Sequence, residues 1–223
     1  MKKIMFSDKY GLTDAVLSRI KTMTRRIVFL PKGVEEMVHK AKFSIDSHSG
    51  KQMLQLIDNK GNVISQIILP YQIGEVVAVA QSYHALNKSG YLAPEWLDHT
   101  CEDSAGYNNK MFVRADLMPH RIRFTHIKFE SMRDISDADC FAEGIAACKF
   151  PVYDGRELKD TLYGYTVSAF VKDIAEPWAP NNPLHFLGDT PQTAFIVLLS
   201  KLYGKEILES NPFVLAYTFN LLD

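Results

Sequence analysis

Three cations and two hydroxyls lie close together between positions 21 and 26 of the chain. The cations are Lys21, Arg25 and Arg26, and the hydroxyls are those of Thr22 and Thr24. A threonine hydroxyl is a weak nucleophile that needs a base, and lysine can be that base where burial or neighbouring cations depress its pKa. An arginine can stabilise an oxyanion or hold a phosphate. These residue types therefore suit either acyl transfer or the binding of an anion.

The elements on either side of this segment determine which of its side chains meet. Apolar residues recur at helical spacing over residues 12–20 and predict a short amphipathic helix. The β-branched residues that follow predict a strand, so the helix-to-strand junction falls at Lys21. On that strand Thr24 and Arg26 share one face, and Arg25 points to the other. Cations at this junction also complement the negative end of the helix by about 0.3 to 1 kcal/mol each, so a capping role is an alternative.

A second basic feature is predicted on a later strand. Arg121 and Arg123 stand at strand spacing and should project to one face together with Thr125. Phosphate contact is the functional interpretation of this stripe. A solvated face of a sheet is the alternative, because alternation alone produces it.

Aromatic side chains supply the stacking surface that a nucleobase would need. Tyr83, Trp96 and Phe112 are the candidates, and packing in the core is the alternative for each. Trp96 is favoured for stacking because it stands in a polar segment. For Phe112 we expect packing in the core.

Strand and helix signals elsewhere place this segment in a β-rich chain. Two apolar runs flank residues 59–62, a pattern typical of a hairpin. One helix is expected to begin at Ser136 and to stop at Gly144, and a second to begin at Thr190. Because short runs of strands are separated by helices, the order favours an α+β fold with a mixed or antiparallel barrel over a doubly wound sheet. The predicted strands cover residues 22–28, 53–57, 63–69, 76–80, 111–115, 121–129 and 214–222.

Composition bounds the class of protein. The chain has 223 residues, of which 47% are apolar and 23% are charged, which is ordinary for one globular core with insertions. Its start lacks the long apolar region of a signal peptide, and no apolar run approaches the length of a membrane span. We therefore expect a cytoplasmic protein without membrane contact. With a net charge of -1, any nucleic-acid contact has to use a local basic patch.

No metal or other cofactor is expected. The cysteines, Cys101, Cys140 and Cys148, are widely separated and form no CxxC pair, and the seven histidines lack metal-ligand spacing. We interpret all three thiols as reduced.

Several segments of the chain form an ordered series of motifs. Residues 11–27 are predicted to form a helix followed by Lys-Thr-x-Thr-x-Arg, and residues 73–79 contain Gly-Glu before an apolar strand. Shorter motifs occupy residues 109–119, 121–124, 134–136, 142–145 and 210–214. This order resembles the ASCH branch of the PUA-like superfamily, and the phage-associated ASCH-like proteins in particular.

The resemblance implies a fold and a domain organisation. The fold would be a PUA-like mixed or antiparallel β-barrel with flanking helices. It would form a single domain over residues 1–223, with insertions near 31–65, 84–108 and 146–188. Two positions depart from the family pattern: residues 18–20 contain no glycine, where the family often has one before the lysine, and Gln81 stands where the phage-associated proteins commonly carry Glu.

The resemblance also implies a catalytic set. In the small ASCH proteins that act as amidohydrolases on acetylated cytidine, the set is a Lys, a Thr and a Glu, and these positions correspond to Lys21, Thr24 and Glu143 here. Thr24 would be the nucleophile and Lys21 its base, while Glu143 would relay a proton to the leaving amine. The alternative for Glu143 is an exposed residue at the end of a helix.

Three functions stay open on the sequence. The first is a binding protein for RNA, single-stranded nucleic acid or a modified nucleoside, with Lys21, Arg25, Arg26 and a stacking aromatic in a cationic cleft. The second is an amidohydrolase that cleaves an N-acylated cytosine nucleoside. The third is a phage- or mobile-element-derived accessory protein that serves protein contacts. Convergence of the Lys21 amine, the Thr24 hydroxyl and the Glu143 carboxylate within hydrogen-bond reach in one cavity would favour catalysis.

Overall fold

Three β-sheets and a set of mostly short helices make up the described part of the chain. The computed structural model describes residues 1–91, 103–154, 157–168 and 188–222, and of residues 151, 153, 207 and 208 the backbone alone. The strands are β1 (Lys3–Ile4), β2 (Met23–Ile27), β3 (Lys40–Ile45), β4 (Gln52–Ile57), β5 (Val63–Ile68), β6 (Val76–Val79), β7 (Arg121–Ser131), β8 (Ile145–Asp154), β9 (Glu157–Val167) and β10 (Phe213–Leu222). The α-helices are α1 (Leu12–Leu17), α2 (Val34–Met37), α3 (Tyr83–Lys88), α4 (Asp137–Ala142), α5 (Pro191–Tyr203) and α6 (Lys205–Glu209).

The largest sheet has the segment of cations and hydroxyls at its edge. Its five strands lie in the order β1-β6-β7-β10-β2, with β1 parallel to β6 and the other neighbours antiparallel. β3, β4 and β5 form a three-stranded antiparallel sheet, and β8 pairs with β9 in a long hairpin. The fold is therefore mixed α+β, and β2 is an edge strand.

β10 lies between β2 and β7 and sets which side chains share a face. In one row Thr24 pairs with Tyr217, which pairs with Ile127. In the next row Arg25 and Lys128 lie on either side of β10. Residues opposite each other on neighbouring strands share a face, and successive rows alternate. Arg25 and Lys128 therefore lie on one face of the sheet, and Thr24 lies on the other.

An apolar core joins the five-stranded sheet, the three-stranded sheet and α5. It contains buried residues from the start, middle and end of the chain, among them Ile4, Leu54, Phe124, Phe195 and Tyr217. The rings of Phe124 and Tyr217 lie 5.2 Å apart between centroids. A second, smaller apolar cluster lies between β6 and α3.

Local signals in the sequence predicted the starts of α4 and α5 and one turn. The Ser136 side chain accepts a hydrogen bond from Asp139 N–H at the start of α4, and Thr190 accepts one from Thr193 N–H before α5. The predicted hairpin at residues 59–62 joins β4 to β5. The strands predicted at 22–28, 76–80, 121–129 and 214–222 are confirmed as β2, β6, β7 and β10.

The strand predicted at residues 111–115 is wrong, because this stretch forms two short 3-10 turns. The Asn109 side chain accepts a hydrogen bond from Met111 N–H at 2.9 Å. The Lys3 ammonium donates to the carbonyls of Met111 and Val113, at 2.5 and 2.6 Å. These side chains satisfy backbone groups that a strand would have paired.

The β8–β9 hairpin was not predicted. Its strands mix aromatic and polar residues without a regular period, although Asp154-Gly155 between them is a hairpin signal in the sequence. No helix among the described residues is long and apolar enough to cross a membrane.

Cys140 and Cys148 are buried free thiols, and burial raises their pKa to about 12 and about 11. Cys101 lies outside the described residues.

Candidate functional site

The end of α1 fixes the position of Lys21. Arg19 N–H donates to the Val16 carbonyl at 3.0 Å, and Ile20 N–H donates to the Ala15 carbonyl at 2.9 Å. This pair of bonds is the Schellman ending of a helix, and it requires a left-handed residue after the helix. Arg19 takes that conformation, with a φ of 60°. The chain then turns sharply, so Lys21 lies between α1 and the start of β2.

The Lys21 side chain is buried against the end of α4. Its ammonium donates to the Glu143 backbone carbonyl at 2.8 Å and forms an ion pair with the Glu143 carboxylate. Gly144, with a φ of 97°, lies against it, and a Cβ there would be 3.5 Å from the Cβ of Lys21. Burial lowers the pKa of Lys21, the Glu143 carboxylate opposes this, and the charges of Arg26 and Arg25 add to the lowering.

Glu143 is a buried residue directly after α4, so its interpretation as an exposed helix end is wrong. Thr22 N–H donates to the Ala142 carbonyl at 2.8 Å and ties the start of β2 to the end of this helix. The Arg25 guanidinium donates to the second Glu143 oxygen at 3.1 Å. One carboxylate therefore contacts both Lys21 and Arg25.

Arg25 lies at the centre of a wider ion-pair network. Its guanidinium donates to Glu130 at 2.5 Å and to Asp139 at 3.0 Å, in addition to Glu143. Lys128 donates to the same Asp139 oxygen at 2.5 Å. Burial opposes the charge of Arg25, but the carboxylates of Glu143 and Glu130 outweigh it and raise the pKa of the guanidinium. Three carboxylates thus balance the charges of Lys21, Arg25 and Lys128.

Thr24 is buried in β2, yet its hydroxyl makes no hydrogen bond with another described residue. The Thr24 hydroxyl is not fully enclosed by protein, so it is accessible from the cavity side. The residue lines a cavity together with Lys21 and Glu143. The free hydroxyl therefore faces that cavity.

β2 hydrogen-bonds to β10 through its even-numbered residues. Phe219 N–H donates to the Thr22 carbonyl at 2.8 Å, and Val28 N–H donates to the Phe213 carbonyl at 2.9 Å. In an antiparallel pair, successive residues of a strand point their backbone N–H and C=O alternately toward and away from the partner strand. Arg25, an odd-numbered residue, therefore points these groups away from β10. Within the described parts of the chain, these two backbone groups have no hydrogen-bond partner.

The cavity lies at the free edge of β2 and has a volume of about 290 Å³. Small-molecule sites begin near this size, at about 300 Å³. Its polar wall consists of Lys21, Thr24, Arg25, Arg26 and Glu143. Its apolar wall includes Leu12 of α1 and Phe195, Leu198, Leu199 and Leu202 of α5. The cavity thus presents hydrogen-bonding groups on one side and aliphatic and aromatic surface on the other.

Arg26 differs from the other cations of the polar wall. Its guanidinium donates to the Met5 carbonyl at 2.8 Å and lies 6.0 Å from the centre of the Phe6 ring. Its Nε is buried and has no hydrogen-bond partner, and no carboxylate of the described residues forms an ion pair with it.

Among the described residues, Tyr83, Arg121 and Arg123 do not line this cavity. Tyr83 is buried in the smaller apolar cluster, where its hydroxyl accepts a hydrogen bond from Arg114 N–H at 3.0 Å. Arg121 and Arg123 are exposed on β7. Trp96 lies outside the described residues. The expectation that Phe112 packs in the core is wrong, because this side chain is 59% exposed on a 3-10 turn.

Sequence reasoning missed the outer members of the site. Lys128 lies in the strand predicted at 121–129, Glu130 directly follows that range, and Asp139 lies at a predicted helix start. Nothing in the pattern connected them to Arg25. Phe195 belongs to the helix predicted to begin at Thr190, and the structure places the Arg25 guanidinium 5.7 Å from its ring centre. The alternation of Lys128 and Glu130 on one face of β7 is the signal that could have indicated a charged, covered face.

Comparison of the chain with protein-family models, with curated proteins and with solved structures gave no match. The ASCH resemblance therefore stays a prediction from the motifs, and the site has to be judged on its own geometry.

Proposed function

We propose that this cavity hydrolyses the amide bond of an N-acylated cytosine nucleoside. The observation that supports the proposal is that Lys21, Thr24 and Glu143 line one cavity, with the Lys21 amine in contact with the Glu143 carboxylate. The ASCH amidohydrolases that the chain resembles have the same three residue types in their catalytic set. The proposal includes the PUA-like barrel. It is supported by the pairing of β2, which lies in the first motif, with β10, which begins in the last motif and continues beyond it.

In the first half of the reaction, the Thr24 oxygen bonds to the acyl carbon and Lys21 accepts the hydroxyl proton. No direct hydrogen bond joins Thr24 to Lys21, so a water molecule transfers this proton. The C–N bond then breaks, and the exocyclic amine of cytosine leaves. This amine takes up a proton that Glu143 relays from the Lys21 ammonium. The products are a threonine ester and the free cytosine nucleoside.

In the second half, water attacks the threonine ester. Lys21 accepts a proton from the water, and the bond between the acyl carbon and the Thr24 oxygen breaks. The proton returns to Thr24, and the acyl group leaves as a carboxylic acid. This step needs a neutral lysine, which the burial of Lys21 favours.

The tetrahedral intermediate carries an oxyanion that needs a donor. The backbone N–H of Arg25 is adjacent to the nucleophile in the chain and has no partner among the described residues. A fixed donor of this kind stabilises developing charge without reorganisation. We assign the oxyanion to this N–H, because the Arg25 guanidinium is already shared among three carboxylates.

The assay is release of cytidine from N4-acetylcytidine, followed by chromatography from neutral to mildly alkaline pH. Thr24→Val keeps the shape of the side chain and removes the hydroxyl, so turnover should be lost while binding, measured by equilibrium dialysis, is retained. Thr161→Val, on β9 and away from the cavity, is the matched control and should keep full turnover. If the wild-type protein releases no cytidine, the proposal is wrong. Turnover by Thr24→Val would show that another group is the nucleophile.

Binding of RNA or single-stranded nucleic acid without turnover is the second candidate. The exposed side chains of Arg121 and Arg123 on β7 favour it, since neither forms an ion pair with a described residue. So few cations should give a shallow salt dependence, with a slope near -0.7 for each phosphate contact. Titration of labelled oligonucleotides at increasing salt tests this, and absence of binding at low ionic strength contradicts it.

A further inference from the structure

Arg26 brings to the cavity a positive charge that no carboxylate of the described residues contacts. Lys21 and Arg25, the other cations of the polar wall, both contact Glu143. Arg25 and Lys128 share two more carboxylates, so each carboxylate of this network contacts a cation other than Arg26. Arg26 has no ion-pair partner among the described residues.

The donors of Arg26 are also incompletely used. A guanidinium carries five N–H donors, and here one nitrogen donates to the Met5 carbonyl. The Nε is enclosed by protein without an acceptor. The Nη1 makes no hydrogen bond with a described residue and is not among the enclosed atoms, so it is accessible. Since Arg26 lines the cavity, a ligand there can supply the acceptor that Nη1 lacks.

The position of Arg26 limits where an anion would lie on the substrate. Arg26 follows Thr24 by two residues on the same face of β2, and a strand rises about 3.3 Å per residue. The Cα atoms of Arg26 and Thr24 therefore lie roughly 7 Å apart along β2, so we place the anion beside the acyl site and not within it. A charge on a short acyl chain would be too close, whereas a phosphate on the ribose is separated from the acyl group by the base and the sugar.

We propose that the substrate is a nucleotide, with its phosphate bound by Arg26 and its N-acyl group at Thr24. This inference rests on the proposed function and adds the substrate class. The phosphate belongs either to a free nucleoside monophosphate or to an RNA chain, and Arg26 would bind both by the same charge-assisted hydrogen bonds.

The experiment compares kcat/KM for N4-acetylcytidine, its 5′-monophosphate and a short single-stranded RNA that contains the same acetylated base. In the wild-type protein the monophosphate or the RNA should exceed the nucleoside by about tenfold or more, as expected for one charge-assisted contact. Whichever of the two has the higher kcat/KM identifies the source of the phosphate. Arg26→Gln should bring the ratio to the nucleoside close to one, and Arg26→Lys should retain part of it.

Arg114→Gln is the matched control, because Arg114 is exposed, pairs with Asp116 and does not line the cavity. This variant should keep the wild-type preference. Equal kcat/KM for nucleoside and nucleotide in the wild-type protein would overturn the inference, as would an unchanged preference in Arg26→Gln.

A binding arm separates failure of this inference from failure of the proposed function. Calorimetric titration with cytidine 5′-monophosphate and with cytidine needs no turnover, and the monophosphate should bind about tenfold more tightly through Arg26. If no substrate is hydrolysed but this difference is present and is lost in Arg26→Gln, the hydrolase is wrong and the phosphate site stands. If acetylcytidine is hydrolysed and the two ligands bind equally, the reverse holds.

Discussion

Lys21 and Glu143, 122 positions apart in the sequence, form an ion pair whose side chains are 3% and 4% exposed. Removing one partner of such a pair leaves an uncompensated charge in the protein interior. We expect Glu143→Gln to lower the free energy of unfolding by about 3 to 5 kcal/mol, because both Lys21 and Arg25 lose their contact with this carboxylate. Urea denaturation measures the change.

The ion pair between Lys2 and Glu75 is the control for this prediction. Its side chains are 49% and 22% exposed, so Glu75→Gln should cost no more than about 1 kcal/mol. Equal losses for Glu143→Gln and Glu75→Gln would show that the buried pair does not contribute more than a surface pair.

The lowered pKa of Lys21 predicts the pH dependence of turnover. Burial lowers this pKa below the ordinary value of 10.5, so the neutral amine is populated at a lower pH than on an exposed lysine. We expect kcat/KM for N4-acetylcytidine to rise with pH through the lowered pKa and to level off above it. Because the Arg26 charge contributes to the lowering, Arg26→Gln should move the rise to higher pH. Arg114→Gln should leave the profile unchanged, and a profile that is flat into the alkaline range contradicts the role of Lys21 as base.

The same pKa has a consequence for stability. Between the lowered pKa and 10.5, the unfolded chain binds more protons at Lys21 than the folded protein does. The contribution of Lys21 to the free energy of unfolding therefore rises with pH in that window. Subtracting the pH profile of Lys21→Met from that of the wild-type protein isolates this slope, and a slope that falls with pH would show that the pKa is raised instead.

Arg25 is expected to be the most destabilising cation to remove. Arg25→Met leaves Glu130, Asp139 and Glu143 with fewer partners in a covered part of the sheet, and we expect a loss of about 3 to 5 kcal/mol. The exposed Arg114 offers the comparison, since Arg114→Met should change stability by no more than about 0.5 kcal/mol. Thermal unfolding of both variants checks this, and a small effect at Arg25 would mean that the carboxylates are satisfied by Lys128 and water.

The parts of the fold that depend on neighbouring residues could be predicted from the sequence. Ser136 and Thr190 cap helices by bonds to residues three positions later, and the turn at 59–62 joins two adjacent strands. The local sequence pattern could not show that residues 111–115 do not form a strand. Their backbone is held by Lys3, which is more than 100 positions away, so the local pattern had no access to the competing interaction.

The candidate site divides in the same manner. Lys21, Thr24 and Glu143 were named because motifs in the sequence resemble a family, whereas Glu130 and Asp139 belong to no motif. Their role follows from the register that places β7 beside β10 and from the packing of α4. Sequence periodicity indicates which face of a strand is covered, but not which charges from other elements meet there.

Arg19 provides a prediction about the bend that positions Lys21. Its φ of 60° is a left-handed conformation, which costs an L-residue with a side chain about 1 to 2 kcal/mol and costs glycine almost nothing. The ASCH proteins that the motifs of this chain resemble often have glycine before the corresponding lysine, and here the arginine accepts the strain.

We expect Arg19→Gly to be more stable than Arg19→Ala by about 1 kcal/mol. Both variants lose the exposed hydrogen bond of 3.1 Å from the Arg19 guanidinium to the Leu221 carbonyl. The difference in stability between the two variants therefore isolates the backbone conformation. Thermal unfolding of the two proteins gives the comparison. Because the Schellman bonds to Ala15 and Val16 are retained in both, Lys21 should keep its position and turnover should be equal. Equal stability of the two variants would show that the bend at Arg19 is not strained, and lower turnover in the glycine variant would show that a flexible bend misplaces Lys21.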